Sequence, residues 1–390
     1  MLIQCTKALL GKMNITGKEL SPPEGHEHFP NSLKAWHANI VNINRRKAII
    51  LMNNETRYSV VIYRPRPKDF ARIKELISEA IIVALRMEGV REELIESYMT
   101  DTGEIMFSKT ANKSMVAKMN NAVREVEFMQ EYLDESTLIQ RYISIVTGRF
   151  IQNSLNDQGF YPLEKMLECL SIYCGNDEKG NPENILEVDL YQLKIQIDIE
   201  GFDIWRRVLV PSTYSFRHLH NVIQTVFDWQ NYHLHVFEAK RVGSKVKRIE
   251  MNDDPETLDW LDFDSYDVLQ ERFLALKDIF PYYGEITYEY DFGDSWEHTI
   301  TLENIIKSNV FKATYLEGTG ERPPEDVGGS WGYQEYMRIM ADETDPEYED
   351  MRAWAKSQKE RKLSPEEINN WLRHSISGYR YRPYLQVAGS

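Results

Sequence analysis

Apolar and polar residues alternate with a period of two over several short stretches of this 390-residue chain, and with a helical period over others. Leu2-Ile3-Gln4-Cys5 predicts a short strand followed by a helical turn. Trp36–Ile43 alternates with one slip at Ile40-Val41, Ala48–Met52 is an apolar run, and Arg57–Tyr63 is rich in β-branched residues. With Asn53-Asn54 as a turn, 36–63 predicts a three-stranded meander, which Arg64-Pro65-Arg66-Pro67 stops. Asp69 is placed to cap a long helix ending near Gly89, with Phe70, Ile73, Ile77, Ile81 and Leu85 on one face. Further helices are expected at Arg91–Tyr98, near Ser114–Leu133 and over much of Ile151–Cys174. Residues 175–184, with two Gly, one Pro and otherwise polar side chains, have the composition of a linker.

Beyond the linker, Leu186–Ile199 alternates cleanly at Leu193, Ile195, Ile197 and Ile199, and Ile204–Pro211 predicts the next strand. Ser215 is placed to cap a helix with Leu219, Val222, Ile223 and Val226 inward. A strand at His233–Phe237, an acidic surface stretch at Asn252–Asp267 and a helix at Val268–Ile279 follow. Tyr288–Glu303 predicts one hairpin. Tyr288, Tyr290 and Phe292 alternate with Glu289 and Asp291, Gly293-Asp294-Ser295 supplies the turn, and Trp296, His298, Ile300 and Leu302 resume the pattern. A Gly- and Pro-rich loop over 317–333 leads to helices near 333–341 and 346–359, and Ser364-Pro365-Glu366-Glu367 opens the last helix. The expected fold is α+β in two domains, 1–150 and 185–390. Each is a mostly antiparallel sheet with packed helices, and a helical segment and polar linker over 151–184 joins them.

Charge changes this picture. The net charge is −15, but residues 1–150 hold 21 Lys and Arg against 18 Asp and Glu, and residues 151–390 hold 25 against 43. A polyanion is repelled by the second part, so any nucleic-acid contact falls to the first. A hydrophobic content of 42% is that of an ordinary soluble protein. There is no 18-residue apolar run for a membrane span, and the N-terminus lacks the pattern of a secretory signal. Cys5, Cys169 and Cys174 form neither a disulfide framework nor a CxxC zinc pattern, and free thiols in a reducing cytoplasm are expected.

Five phrases in the second part are distinctive. They are Trp205-Arg206-Arg207-Val208 with Val210-Pro211, Leu219-His220 with Ile223-Gln224, the run Trp229–Phe237, the run Tyr288–His298, and Pro323–Gly329 with Gly332-Tyr333. In this order they resemble the plasmid pRiA4b ORF-3-like family, over Leu186–Asn370. The resemblance implies an α+β domain in an intracellular, mobile-element-associated setting, and supplies no reaction. Many members of the family it resembles carry Cys before a Leu-x-Gly turn and again before Pro-Pro-Glu-Asp. This chain has Tyr315 and Arg322 there, so no metal site or disulfide is built on that pair. In the first part, Cys5-Thr6-Lys7, Trp36-x-Ala38, Arg45-Arg46-Lys47 and Asn54-x-Thr56-Arg57-Tyr58 resemble small uncharacterised bacterial domains.

Three constellations carry candidate chemistry. The first gathers His233, His235, Asp291, Asp294, Glu297, His298, Glu325 and Asp326. On a strand His233 and His235 share a face, and with Asp291 and His298 they are candidate ligands for a divalent metal that activates water. The competing expectation is that these groups are hydrogen-bonded supports of loops, with His298 a core histidine. Trp229, Trp296 and Tyr333 join His233 and His235 as candidate ligand-binding residues. The second is Pro323–Gly329, whose Gly pair admits close backbone approach but is not followed by the Lys-Ser/Thr of a P-loop. The third is the meander, where Arg45, Arg46, Lys47, Arg57, Arg64 and Arg66, interleaved with Tyr58 and Tyr63, fit phosphate contact and stacking; the competing expectation is a solvated sheet edge. Two function classes follow: a binding or adaptor protein with a protein partner, contacting nucleic acid through its first domain, and a metal-dependent hydrolase.

Overall fold

A computed structural model of the chain describes residues 1–17, 19–21, 33–110, 113–153, 159–175, 180–251, 265–357 and 363–373. The chain divides into two compact units: Met1–Val188 with Ser308–Phe311, and Asp189–Lys307 with Lys312–Ser390. Most of the polar loop at 22–28, residues 176–179 of the linker and 252–264 of the acidic stretch lie outside the described residues.

In the first unit the predicted meander forms as β2 (Ala35–Ile43), β3 (Arg46–Asn53) and β4 (Ser59–Tyr63), paired antiparallel with Trp36 opposite Asn53 and Ala48 opposite Tyr63. Two four-residue strands join it in parallel. In β1 (Leu2–Cys5), Ile3 lies beside Trp36 on one side and, on the other, beside Phe107 of β5 (Met106–Lys109). The sheet, ordered β4-β3-β2-β1-β5, is therefore mixed, its longer pairings antiparallel. The long helix begins later than its sequence suggests, at Ile73, and runs to Met87. Pro67–Arg72 forms a separate 3-10 turn, and the Asp69 carboxylate accepts the Arg66 N–H there at 2.7 Å. Ile73, Ile77, Ile81 and Leu85 are buried on the expected face.

The second unit is built on an eight-stranded mixed sheet, ordered β10-β9-β8-β11-β12-β6-β7-β13. Its strands are β6 (Val188–Ile197), β7 (Ile204–Pro211), β8 (His235–Ala239), β9 (Val246–Glu250), β10 (Tyr266–Gln270), β11 (Glu285–Tyr290), β12 (Trp296–Ser308) and β13 (Thr314–Thr319). The predicted hairpin is β11–β12, with Tyr290 opposite Trp296 and Tyr288 opposite His298. The helix Phe216–Val226 is capped by Ser215 and buries Leu219, Val222, Ile223 and Val226. Trp229, Trp296, Tyr288, Tyr290, Phe216 and Phe227 form a densely aromatic core.

Three local readings change. Val268–Ile279 is not a helix: its start lies in β10, which pairs in parallel with β9, and its end is the 3-10 turn Leu276–Asp278. The strand expected from His233 starts at His235, because the chain is still turning at Asn231, whose φ is 59°. Part of the expected loop over 317–333 is β13, a polar strand at the sheet's end. Among the described residues, no helix is long and apolar enough to cross a membrane.

Candidate functional site

Three loops of the second unit meet at one end of the hairpin: 228–234 before β8, the turn 291–295, and 320–328 before the helix Gly329–Met340. Each holds residues in the left-handed region, among them Asn231 (φ 59°), Asp291 (61°) and Asp326 (60°). Asn and Asp tolerate that region better than most side chains. The loops are tied to one another by hydrogen bonds. Trp229 Nε1 donates to Pro323 O at 3.2 Å, and Gln230 N–H donates to both Glu325 carboxylate oxygens at 3.0 and 3.1 Å. The Tyr290 hydroxyl donates to Glu325 Oε1 at 2.9 Å and accepts from Tyr232 N–H at 3.1 Å. Asp291 N–H donates to Leu234 O at 2.9 Å, and Gly328 N–H donates to Asp294 Oδ2 at 3.2 Å. Glu325 and Asp294 are thus committed to holding the loops together.

On this base three other side chains converge. His233 Nε2 lies 3.5 Å from Asp291 Oδ2 and 3.3 Å from Asp326 Oδ1. One ligand atom from each of the three falls within 4.8 Å of the others. Asp291 Oδ1 accepts the Gly293 N–H at 3.0 Å, which leaves Oδ2 for His233. His233 Nε2 is sealed from solvent yet makes no hydrogen bond among the described residues. The Asp291 side chain is nearly buried, His233 is partly covered and Asp326 is exposed.

The remaining candidates go elsewhere. His235 is buried, stacks on His220 at 3.5 Å between ring centroids, and binds Glu271 Oε2 through Nε2 at 2.8 Å. Burial alone raises the Glu271 carboxyl, but His235 and Arg217 outweigh it and hold Glu271 below the usual carboxylate range. His298 lies inside the sheet. Its Nδ1 has two carbonyl neighbours, Trp296 O at 2.9 Å and Tyr288 O at 3.2 Å, so it carries the proton and donates. Burial lowers its pKa to about 4. Glu297 is exposed, opposite Glu289. Trp229, Trp296 and Tyr333 are buried, the last donating to Glu321 O at 3.2 Å. Sequence reasoning passed over Glu271, Arg217 and His220. His220 stood in a noticed phrase, whereas Glu271 had no signal, since only β9–β10 pairing and the following turn bring it to His235.

In the first unit Arg45, Arg46, Lys47 and Arg66 are exposed at one end of the meander, with Arg64 beside them paired to Glu135 at 3.2 Å. Arg57 follows β3 at its other end and binds Asn54 O. Tyr58 and Tyr63 are fully buried, so neither ring offers a stacking face.

Residues 189–370 match the model for plasmid pRiA4b ORF-3-like protein. An uncharacterised protein of Sinorhizobium fredii, y4hQ, is 35% identical over 169 residues, which span 43% of this chain and 80% of that protein. The chain belongs to the plasmid pRiA4b ORF-3-like family. Within this family member, residues 2–165 match a second model, a domain of unknown function designated DUF6933. A solved structure of a protein of unknown function from Methanosarcina mazei, MM3350, is 32% identical to the pRiA4b ORF-3-like chain. It covers 46% of this chain and 92% of its own, with a TM-score of 0.38. All three site residues fall inside the span matched by the pRiA4b ORF-3-like model.

Proposed function

We propose that this protein is a binding protein and that its second unit engages a protein partner on the three-loop rim. One observation carries the reading: four large apolar side chains on or just after these loops face solvent. Tyr232 is 62% exposed, Leu234 57%, Phe292 46% and Trp331 77%. On the same loops and hairpin Trp229, Tyr290 and Trp296 are buried. Covering one such side chain is worth about 1.5–3 kcal/mol, and aromatic residues in this setting are typical anchors of protein interfaces. The hydrolase reading loses two of its four candidate ligands, His233, His235, Asp291 and His298, because His235 and His298 are both committed inside the core.

The test compares the parent protein with a Tyr232→Ala/Trp331→Ala variant as bait in extracts of the source cell, followed by titration of the captured partner in purified form. Affinity should fall at least tenfold, with thermal stability preserved because both side chains are exposed. Equal capture and equal affinity would remove the rim from consideration.

A second reading concerns the first unit. Arg45, Arg46, Lys47, Arg66 and Lys68 are exposed at one end of the meander and join no ion pair among the described residues. Such a cluster favours a phosphate backbone as second partner.

A further inference from the structure

We propose that His233, Asp291 and Asp326 form a zinc-class divalent cation site with three protein ligands and an open fourth position. The argument begins with distances. A tetrahedral ion bound at about 2.0–2.1 Å sets its ligand atoms about 3.3–3.4 Å apart. The His233–Asp326 and His233–Asp291 separations, 3.3 and 3.5 Å, match that spacing with the side chains as they stand. A neutral imidazole and two carboxylates sum to two negative charges, which a divalent ion neutralises. The nitrogen ligand favours zinc over magnesium or calcium.

The site is also built in advance. Asp291 has one oxygen fixed by Gly293 N–H, so the other is aimed. Asp326 follows Glu325, whose carboxylate is clamped by Gln230 N–H and the Tyr290 hydroxyl. The His233 ring stands edge-on to Tyr290, with centroids 5.7 Å apart at 75°. The independent sign is His233 Nε2 itself. It is sealed from solvent, faces two carboxylates, and is bonded to neither. In a plain imidazolium–carboxylate pair that nitrogen would donate a hydrogen bond. In a metal site it holds a lone pair.

The site goes beyond the rim reading and needs none of the four exposed apolar side chains. The open position faces solvent beside Asp326 and takes a water or one oxygen of a bound ligand.

The experiment is calorimetric titration of zinc chloride into chelator-treated full-length protein, with thermal unfolding alongside. Four variants are compared: His233→Ala, Asp291→Asn, Asp326→Asn and Glu297→Gln. Asparagine keeps the oxygen that accepts from Gly293 and tolerates the left-handed backbone of both positions, so these variants lose charge and keep shape. Asp326 and Glu297 are exposed, which protects the fold in their variants. The parent should bind one equivalent of zinc and unfold at a higher temperature with it. The three ligand variants should bind at least tenfold more weakly and lose the thermal shift, while Glu297→Gln matches the parent. Absence of saturable binding in the parent overturns the proposal. So does binding that survives unchanged in Asp326→Asn and His233→Ala, which would put the zinc elsewhere. The Tyr232→Ala/Trp331→Ala variant should keep full zinc affinity, so a failed rim and a failed metal site give different results.

Discussion

His298 donates its single ring proton to two backbone carbonyls and leaves Nε2 without a hydrogen bond among the described residues, packed among Phe227, Trp229 and Tyr288. This arrangement makes the fold acid-sensitive. Unfolded, the imidazole protonates near its ordinary value of 6.5; folded, burial holds it to about 4. Between those values the unfolded chain takes up a proton that the folded chain refuses. The contribution is complete above pH 6.5 and is lost as pH falls towards 4, about 2 kcal/mol by pH 5. Glu271 acts in the same direction, since its carboxyl is held below the usual range and its contribution also fades on acidification. Urea midpoints measured at pH 7 and pH 5 should differ accordingly, and His298→Gln should flatten the dependence while lowering stability at pH 7. An unchanged midpoint in the parent would contradict this account. The core role of His298 was legible, because it alternates with Trp296 and Ile300 on the inward face. The role of His235 was not. Its HxH spacing puts it beside His233 only if both lie on one strand, and the left-handed turn at Asn231 keeps His233 off it. Nor does the Glu325-Asp326 pair say which carboxylate turns inward.

At the scale of elements, two loops of the site are pressed together at Gly329. Its φ is +68°, and a Cβ added there would lie 2.4 Å from Asp294 O. Gly329→Ala therefore combines backbone strain with a collision against main chain, for an expected loss of about 2–4 kcal/mol. Among the described residues, Gly293→Ala in the turn meets only an Asp291 carboxylate oxygen, at 3.2 Å. It should cost much less. Thermal unfolding of the pair checks this, and a Gly329→Ala midpoint equal to the parent's would show that the contact gives way freely. Elements set by their own pattern were legible: the meander, the hairpin, the Ser215 and Ser364 caps. Those set by distant pairing were not. β5 pairs in parallel with β1, remote in sequence, β10 pairs in parallel with the strand just before it rather than forming a hairpin, and β13 carries Glu317 and Gly318 on an exposed edge. A local apolar pattern holds no record of such partners.

For the whole molecule, charge decides where a polyanion can sit. Residues 151–390 carry 43 acidic against 25 basic side chains, and the exposed cations of the meander belong to the first unit. If they bind a phosphate backbone, affinity of the full chain for a short DNA duplex should fall steeply with salt. Arg45→Ala/Arg46→Ala should then reduce the log–log slope by about 2. A flat slope in the parent protein would remove the nucleic-acid reading.

The first unit is not one continuous run of chain. The chain leaves the first at Val188 and returns to it for Ser308–Phe311, where the Phe311 ring lies under the Arg149 guanidinium at 5.4 Å. A fragment ending at Val188 would lack that ring and expose the surface it covers. Recombination faces the same obstacle: one crossover after Val188 cannot pass the first unit intact to another gene, because its residues Ser308–Phe311 stay behind.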